Sequence, residues 1–574
     1  MKVPRPYTKR IFRLAYWIAI FVLATVLAAS GGFAQTADQA LSKEESACRA
    51  LTNSRNLTIL SAELRPATGS TPPYCYVRGL ISPAIHYHVQ LPVPANWNGR
   101  FLKWGDGGKD GNLDFANPRV AQGYAVANSN TGHDSGAEPR ASFGFNNRQA
   151  EIDFGYRAVH LTAHAAKTVI RAYYGRDPQY SYFEGCSTGG RQGLMEAQRF
   201  PYDFDGIVAG APVNFYAAMH TAVVWMFQKV YANNFAGNLA FDADGDGVPE
   251  SLTKLNMLRE AVLAKCDGKD GIVDGVIDDP LGCDFKPELD LAEKMCRGDV
   301  NADGCFTALQ LKTITDFYRG PYDSKGTHIY KGYALGSEFS WPGRILPHAG
   351  NRLYPASNIL PRARRLPQSM TTSGDHLNYL FYENDPGVLV PDATNLSHVP
   401  DKTANPPEWA WWEFSVDDFT AGKAKLMMSI LDASDPDLTR FLMRKGGKLI
   451  LYHGWGDAGP HPEPTLDYYK DVVTTTFRGD VKATREKIRL FVVPGMGHCG
   501  GGPGPNAWDK LAPLVEWVEK GRAPDHVVAA HRTQDGKVDN ERKVCAWPQK
   551  AVYTGPAGGQ NDPANWREQN FTCR

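Results

Sequence analysis

Short apolar runs alternate with helical stretches through the first third of the chain. Runs of apolar, β-branched and aromatic residues predict strands, and apolar positions at helical spacing predict helices. In chain order these are strands over residues 86–91, 100–104 and 123–127, a helix over 154–174, a strand over 181–184, a helix over 190–200 and a strand over 205–210. Strands that alternate with helices predict an α/β fold with a mainly parallel sheet covered on both faces.

The alternation stops after residue 214. The following segment is rich in Gly, Pro, Trp, Asp and Cys and shows no regular order, until a predicted helix over 435–438 and strands over 448–452 and 488–493. We divide the chain into a first core part, an inserted lid domain and a second core part, over residues 35–214, 215–432 and 433–574. The alternative for the insertion is an appended module with its own function.

The first residues have the layout of a secretory signal. Five basic residues precede an apolar stretch over residues 14–29, and small residues follow up to Ala34. This order predicts a signal peptide over residues 1–34 and an exported protein, secreted or periplasmic. A retained membrane anchor is the alternative, although the stretch is short for a span of ~20 residues. We expect no membrane contact after the signal is removed.

Charge and cysteine content narrow the class of protein. Lys and Arg number 62, as do Asp and Glu, so no charge excess indicates a nucleic-acid partner. The ten cysteines form an even set, which suits disulfides in an oxidising compartment. Local pairing is the simplest hypothesis, although sequence alone leaves connectivity open. It joins Cys48 with Cys75, Cys266 with Cys283, Cys296 with Cys305, Cys545 with Cys573, and Cys186 with Cys499.

A Gly-x-Ser-x-Gly pentapeptide over Gly185–Gly189 gives a candidate nucleophile, Ser187. The flanking glycines suit a sharp turn from a strand into a helix. Asp457 and His498 each follow a predicted strand, which gives the chain order Ser, Asp, His of α/β-hydrolases. His498 is then the base that accepts the serine proton, and Asp457 the acid that orients it. An ordinary glycine-rich turn is the alternative for the pentapeptide alone.

Backbone N–H groups near the serine are candidates for an oxyanion hole. Thr188 follows the nucleophile, and a glycine-rich loop after the strand over 100–104 offers Gly107 or Gly108. The sequence does not choose between these two glycines, and a plain glycine turn is the alternative. His453 and His461 also lie near Asp457, but we set them aside as bases because they belong to the loop that carries the acid.

Cys186 and Cys499 stand directly beside the candidate nucleophile and base. If Ser187 and His498 meet, their neighbours come close enough for a disulfide that clamps the two loops together. A free cysteine acting as a redox sensor or nucleophile is the alternative.

An acidic stretch in the insertion predicts a Ca²⁺ site, because closely spaced carboxylates repel one another unless a cation lies among them. Side-chain oxygens would come from Asp267, Asp270 and Asp274, and carbonyl oxygens from Ile272 and Val276. A solvated acidic loop is the alternative. The stretch 242–247 resembles the first half of an EF-hand loop, but its twelfth position is Thr253, so it is a weaker second candidate.

Four motifs together resemble the tannase and feruloyl esterase family, which includes the hydrolase of mono(2-hydroxyethyl) terephthalate. They are Cys186–Arg191, Tyr452–Asp457, Gly497–Gly500 and Trp97–Phe101. The resemblance covers most of the mature chain. It implies an α/β-hydrolase fold with a large inserted lid domain, a bond between Cys186 and Cys499, the four other bridges, and structural calcium at the five positions named above.

The resemblance also implies hydrolysis of an ester of an aromatic acid through an acyl-enzyme. Feruloyl, hydroxycinnamoyl or galloyl esters are the leading hypothesis, and terephthalate monoesters or other small aryl esters the alternative. An inactive phenolic-binding protein on the same fold is the alternative from another class. The oligomeric state stays open, and so does the question of which lid side chains face the substrate. The lid candidates are Trp341, Arg344, His348, Arg352, Tyr354, Trp409, Trp411 and Trp412.

Overall fold

The computed structural model describes residues 42–52, 57–246, 248–354, 364–385, 411–533 and 535–574. The predicted signal peptide lies outside these residues. Within the described part of the chain, no helix combines the length and the apolar character needed to cross a bilayer.

The described residues contain fifteen strands, which make one large sheet and three small pairs. Their bounds are β1 Thr58–Arg65, β2 Tyr74–Ile81, β3 Ile85–Pro92, β4 Arg100–Trp104, β5 Ala125–Ser129, β6 Tyr180–Cys186, β7 Gly206–Gly210, β8 Arg352–Tyr354, β9 Arg364–Leu366, β10 Lys448–Gly454, β11 Ile488–Val493, β12 His526–Arg532, β13 Val538–Cys545, β14 Ala551–Tyr553 and β15 Phe571–Cys573. The large sheet has nine strands in the order β1-β2-β3-β5-β4-β6-β7-β10-β11. The pairs are β12 with β13, β14 with β15, and β8 with β9.

The large sheet is parallel from β5 to β11 and antiparallel from β1 to β5. All five residues of β7 are buried, and so are the last six of β10, as expected for parallel strands covered on both faces. The predicted α/β-hydrolase fold is confirmed, and its parallel half carries the strand ends that matter below.

In the part of the chain that the structure describes, sixteen α-helices accompany the strands. They are α1 Lys43–Arg49, α2 Asn117–Ala121, α3 Arg148–Ile152, α4 Ala158–Tyr174, α5 Thr188–Arg199, α6 Tyr216–Phe235, α7 Thr253–Cys266, α8 Pro287–Asp290, α9 Ala308–Arg319, α10 Trp341–Arg344, α11 Gln368–Tyr379, α12 Asp417–Thr420, α13 Lys425–Leu431, α14 Pro462–Phe477, α15 Val481–Arg485 and α16 Ala512–Lys520. Helices α4, α5 and α14 contribute to one hydrophobic cluster on the sheet, and α16 contributes to another.

The segment between β7 and β10 is mainly helical, with the short β8–β9 pair as its strands among the described residues. Helices α6, α7, α9, α11 and α13 share a third hydrophobic cluster, which includes Phe227, Leu258, Phe317 and Leu377. The absence of a regular strand and helix order in the sequence therefore corresponds to helices packed on one another rather than on the sheet.

One predicted helix is wrong. Residues 435–438 form no helix, because Asp435 Oδ1 accepts the Asp437 N–H at 2.9 Å and Asp437 Oδ1 accepts the Thr439 N–H at 3.0 Å. Such local bonds compete with helical ones. A single wide helical turn follows over Thr439–Lys445. The predictions also missed β1 and β2, the β8–β9 pair and the four strands after β11.

Five disulfides are present, and no cysteine is free. They join the same pairs as the local-pairing hypothesis. These are Cys48–Cys75, Cys186–Cys499, Cys266–Cys283, Cys296–Cys305 and Cys545–Cys573.

Candidate active site

Ser187 occupies the sharp turn between β6 and α5. Its φ of 62° and ψ of −123° are unusual for a residue with a side chain, and its N–H donates to Gly210 O at 2.9 Å. A Cβ on Gly190 would lie 2.2 Å from the same carbonyl oxygen, and a Cβ on Gly185 would lie 2.7 Å from Gly189. Only glycine fits at these places, so the local sequence dictates the turn that lifts the serine.

Asp457 and His498 lie in the loops that follow β10 and β11. His498 Nδ1 lies 2.6 Å from Asp457 Oδ2, and the N–H of Gly459 donates to Asp457 Oδ1 at 2.7 Å. Asp457 is fully buried. Burial alone raises the pKa of its carboxyl group, but contact with the His498 and His453 imidazoles holds it well below its usual value. The carboxylate is therefore an anion that orients His498.

The two histidines near Asp457 in the sequence, His453 and His461, have other partners. His453 Nδ1 lies 2.8 Å from Thr465 Oγ1, and its Nε2 lies 3.0 Å from Pro460 O and 3.4 Å from Asp457 Oδ2. His461 Nδ1 contacts Lys331 O at 2.5 Å. His453 therefore supports the acid from behind, and neither ring lines the cavity beside Ser187.

Ser187 and His498 open into one cavity of about 300 Å³. Cys186 and Cys499 line it too, and the bond between them holds their Cα atoms 6.0 Å apart. Since the two cysteines are the sequence neighbours of Ser187 and His498, this bond ties the elbow directly to the histidine loop.

The glycine loop after β4 also reaches this cavity, through Gly107 and Gly108. Thr188, which lines the cavity as well, donates its hydroxyl to Gly108 O at 2.6 Å. A Cβ on Gly189 would lie 2.9 Å from Asp106 O, so this loop and the elbow pack backbone to backbone. The three residues predicted for an oxyanion hole therefore lie together around the serine.

The insertion supplies much of the remaining lining of the cavity, and the sequence pattern did not point to most of these residues. Helix α6 contributes three apolar or aromatic residues and a histidine, α11 contributes three hydroxyl groups, and Lys109 follows the glycine loop. They are Tyr216, Met219, Val223, His220, Ser369, Thr372, Ser373 and Lys109. The spacing of these residues along the sequence matches no motif, so they are recognised only from their positions around the cavity in the folded structure.

Of the lid candidates, Arg344 lines the cavity. Trp341 instead lies fully buried in the hydrophobic cluster of the insertion. Trp409 lies outside the described residues.

The acidic stretch folds into a compact loop beside Arg542. Asp267 accepts the N–H groups of residues 274 and 275, and Asp270 and Asp274 accept those of residues 272 and 276. Arg542 lies 2.8 Å from Asp274 Oδ2 and 3.1 Å from Asp278 Oδ2. Asp278 was missed as a member of the group, although it follows in the same acidic run.

This loop is short of positive charge. Asp270 Oδ2 and Asp278 Oδ1 are buried and accept no hydrogen bond from the described residues. Burial and the nearby Asp278 charge raise the pKa of Asp270 to about 8, and burial together with Asp278 raises that of Asp274 to about 6. Oxygen atoms are the ligands that Ca²⁺ prefers, but among the described residues no three carboxylates of this loop come within 4.8 Å of one another, whereas those of the weaker acidic stretch do.

The weaker acidic stretch also folds into a cluster. Asp242, Asp244, Asp246 and Glu250 each place a carboxylate oxygen within 4.8 Å of the others. Glu250, rather than Thr253, is therefore the fourth member. The group is mostly exposed.

Chemically, the cavity combines a serine in a strained turn, an imidazole oriented by a buried carboxylate, and backbone groups from two glycine-rich turns. Comparisons with known proteins agree with this arrangement. The structure resembles that of feruloyl esterase B from Aspergillus oryzae, with a TM-score of 0.73 and 25% identity over 92% of this chain and 100% of that one. The fold and cavity therefore define an esterase of the α/β-hydrolase type.

The family model described as "Tannase and feruloyl esterase" matches residues 71–566. An uncharacterised esterase of Xanthomonas campestris pv. campestris is 32% identical over 96% of this chain and 94% of its own. Mono(2-hydroxyethyl) terephthalate hydrolase of Piscinibacter sakaiensis is 32% identical over 88% of this chain and 86% of its own. The chain belongs to the tannase and feruloyl esterase family, as the resemblance of its motifs implied.

Proposed function

We propose that this protein is an exported serine esterase that hydrolyses esters of aromatic acids through an acyl-enzyme. The observation that carries the proposal is the shared cavity of Ser187 and His498, with His498 held at 2.6 Å by the buried Asp457. Membership of an esterase family supports the reaction class.

In the first half of the reaction, Ser187 Oγ attacks the ester carbonyl carbon while His498 Nε2 accepts its proton. Asp457 keeps Nδ1 protonated and stabilises the imidazolium that forms. The N–H of Thr188, together with that of Gly107 or Gly108, donates to the oxyanion of the tetrahedral intermediate. Collapse releases the alcohol, which takes the proton from His498.

In the second half, water attacks the acyl-enzyme and His498 accepts one of its protons. The second tetrahedral intermediate collapses, the aromatic acid leaves, and Ser187 regains its hydrogen from the imidazolium. The bond between Cys186 and Cys499 keeps the nucleophile and the base in register through both halves. We assign it a positioning role.

The cavity walls support an aromatic substrate. Tyr216, Met219 and Val223 give it an apolar side, and polar groups at other points can orient a substituted ring. Hydroxycinnamoyl and galloyl esters are the first substrates to test, in line with the names of the family and of the related feruloyl esterase B.

Terephthalate monoesters are the second candidate. Arg344 lines the cavity and offers a cation to a free carboxylate, and one relative at 32% identity is named a mono(2-hydroxyethyl) terephthalate hydrolase. This substrate class requires a cationic side chain that binds the free carboxylate on the ring, which a hydroxycinnamoyl or galloyl ester does not.

For the acidic loop we propose a structural Ca²⁺ held by Asp267, Asp270 and Asp274 and by the carbonyl groups of Ile272 and Val276. When bound, the cation would neutralise carboxylates that otherwise repel one another. Arg542 already balances part of that charge from the other side. The role is stabilisation of the insertion and not chemistry on the ester.

A panel of esters tests the substrate, and a covalent probe tests the nucleophile. Methyl ferulate, methyl gallate, mono(2-hydroxyethyl) terephthalate and 4-nitrophenyl acetate should be compared by kcat/KM at fixed enzyme concentration. A fluorophosphonate should label the wild-type protein at Ser187 and leave Ser187→Ala unlabelled. Full activity of Ser187→Ala on all four esters would overturn the mechanism. A wild-type protein that neither labels nor turns over any ester would instead be a binding protein.

A further inference from the structure

Two histidines and an aspartate place their side chains together outside the cavity that holds Ser187. His160 and His164 lie one turn apart on α4, and Asp203 lies in the bend that follows α5. His160 Nδ1 lies 2.6 Å from Asp203 Oδ2, and His164 Nε2 lies 3.1 Å from Asp203 Oδ1. One nitrogen or oxygen atom from each of the three residues lies within 4.8 Å of the others. We call these three residues the histidine cluster.

Local structure directs both rings at the aspartate. A spacing of four residues puts His160 and His164 on the same face of α4. The ring of His160 stacks on that of Phe200, with centroids 3.8 Å apart and planes 10° apart. The N–H of Asp203 donates to Phe200 O at 3.1 Å, and Lys167 Nζ donates to Asp203 O. These contacts hold both sides of the histidine cluster in place, so a ligand would bind there at little cost in ordering the protein.

The histidine cluster is open to solvent on one side and closed on the other. The side chain of His164 is 59% exposed and that of His160 is 26% exposed, whereas that of Asp203 is 8% exposed. A cation can therefore approach the imidazoles from solvent and meet the carboxylate at the base of the cluster. None of the three residues lines the cavity beside Ser187, so the triad chemistry does not account for them.

A buried glutamate lies beside Asp203. Glu196, on α5, is 1% exposed, and neither of its carboxyl oxygens accepts a hydrogen bond from the described residues. Burial and the neighbouring Asp203 carboxylate raise the pKa of Glu196 well above its ordinary value. Lys167 lies near both carboxyl groups, but its Nζ donates to the main-chain carbonyl of Asp203. A divalent ion at the histidine cluster would supply the positive charge that these two adjacent carboxyl groups require.

The chemistry of the ligand atoms matches zinc rather than calcium. Zn²⁺ takes imidazole nitrogen and carboxylate oxygen ligands at about 2.0 to 2.2 Å, and a site with three protein ligands carries water as the fourth. Ca²⁺ instead takes about six to eight oxygen ligands. A tetrahedral ion separates neighbouring ligand atoms by ~3.3 Å. The imidazole–carboxylate separations of 2.6 and 3.1 Å are close to this value, so small rotations of two partly exposed rings would admit the ion.

Hydrogen bonds within the histidine cluster explain only part of the arrangement. Two imidazole N–H groups that donate to Asp203 satisfy that carboxylate, but they leave both oxygens of Glu196 without a partner among the described residues. In a neutral imidazole the proton can move, by exchange with solvent, to the other ring nitrogen. The nitrogen that faces Asp203 then offers its lone pair, so a metal ion can take the place of the two shared protons.

We propose that His160, His164 and Asp203 bind a Zn²⁺ ion, with water as the fourth ligand. The ion would join α4 to the bend after α5, the helix that begins at the Ser187 elbow. Because none of its ligands lines the cavity, its role is to stabilise the packing of these two helices and not to act on the ester. The proposal goes beyond the esterase function and does not depend on it.

Titration with ZnCl₂ tests the site. Protein without a histidine tag should be freed of metal with EDTA and dialysed, and Zn²⁺ binding should be measured by calorimetry in excess Ca²⁺, which occupies sites made of oxygens alone. We expect about one Zn²⁺ ion per chain. His164→Gln should weaken binding by about tenfold or more, because it removes a ligand while changing a largely exposed side chain.

His531→Gln is the matched control. His531 Nδ1 also lies 2.6 Å from an aspartate oxygen, Asp539 Oδ1, but this pair belongs to no group of three potential ligands among the described residues. We expect His531→Gln to bind Zn²⁺ as the wild type does. Co²⁺ gives a readout of the ligands themselves, because its visible absorption is much stronger in a four-coordinate site than in water. The wild type and His531→Gln should gain this absorption, and His160→Gln and His164→Gln should not.

Thermal unfolding, followed by far-UV circular dichroism, separates a metal site from a group held by hydrogen bonds alone. Zn²⁺ should raise the Tm of the wild type by a few degrees and leave that of folded His164→Gln unchanged. If His160→Gln and His164→Gln bind Zn²⁺ as tightly as the wild type, the proposal is overturned. Zn²⁺ binding that excess Ca²⁺ abolishes would overturn it too, because the ion would then lie among carboxylates. Failure of the esterase proposal is distinct, since it would leave Zn²⁺ binding unaffected.

Discussion

The cavity is built from two regions that hold their side chains by different means. At the carboxyl end of the sheet, Ser187 and His498 lie in short loops that directly follow strands, and backbone contacts fix those loops. In the insertion, His220 and Ser373 project from helices that pack on one another, and side-chain contacts fix their positions. The loops at the sheet edge therefore tolerate few substitutions, whereas the helices of the insertion tolerate many different side chains.

This difference between the two regions suggests that the sheet-edge loops carry the reaction and that the insertion determines substrate selectivity. A Cβ added at Gly185, Gly189 or Gly190 would meet backbone atoms at 2.9 Å or less, so the elbow tolerates no substitution without moving the serine. The side chains of the insertion that line the cavity lie on helices whose backbones do not depend on them, so these side chains can be exchanged. Substitutions in the loops at the sheet edge should therefore abolish turnover. Substitutions among the cavity-lining side chains of the insertion should instead change which ester is preferred.

The largest effect should come from the acid at the sheet edge. Asp457→Asn keeps the shape of the side chain but favours the wrong tautomer of His498, so kcat should fall by about 10⁴. Asp467→Asn, a change of the same kind at a partly exposed position on α14, is the control. Steady-state kinetics on 4-nitrophenyl acetate measure both variants. A fall of less than tenfold for Asp457→Asn would mean that another group orients the base.

Two glycine substitutions, one in each region, compare how tightly the backbone is packed in the elbow and in the insertion. Gly190→Ala would bring its Cβ to 2.2 Å from the Gly210 carbonyl oxygen, so we expect it to destabilise the protein by about 3 kcal/mol. Gly343→Ala in α10 meets no atom within 4 Å and should leave stability unchanged or slightly raised. Thermal unfolding followed by circular dichroism measures both. Equal melting temperatures for the two variants would contradict the tight packing of the elbow.

The clamp between Cys186 and Cys499 should matter for activity before it matters for folding. Replacing both residues with serine should lower kcat/KM about tenfold at temperatures well below unfolding, because a nucleophile and base held less precisely react more slowly. The matched control replaces Cys545 and Cys573, which join β13 to β15. If the two double variants lose the same fraction of activity at equal folded fraction, the clamp has no special role.

The smallest effect should come from the acidic loop. Chelation with EDTA should lower the melting temperature by a few degrees and leave kcat nearly unchanged, because a structural cation binds the folded state alone. Asp270→Asn should abolish the response to added Ca²⁺, whereas Asp244→Asn in the other acidic cluster should keep it. Purified protein without metal and with a melting temperature insensitive to EDTA would show that the site does not bind calcium.

Much of the sheet was predictable because its parallel strands are short apolar runs bounded by glycine and polar residues. The predicted bounds of β4 and β11 coincide with the observed ones. The positions of Ser187, Asp457 and His498 followed from the same pattern, since each residue comes just after such a strand. Strands β1 and β2 were missed because they lie in the antiparallel part of the sheet, outside the strand and helix alternation.

The wall of the cavity was not predictable in this way. His220 lies among apolar residues on α6, and its spacing is the same whether the ring faces a core or a cavity. Lys109 directly follows a glycine-rich loop, and nothing in the local sequence indicates its contact with residues of α6. Both depend on how an insertion of about two hundred residues docks on the sheet, which no local pattern encodes.

The position of the Cys186–Cys499 bond has a topological consequence. It closes a ring of the polypeptide with a sequence separation of 313 residues, and the whole insertion lies within that ring. A single proteolytic cut anywhere in the insertion would therefore yield two fragments that remain one covalent molecule, with the serine on one fragment and the acid and base on the other. Proteolysis of the insertion would therefore alter the substrate-facing part of the protein, while Ser187, Asp457 and His498 stay in one covalent molecule.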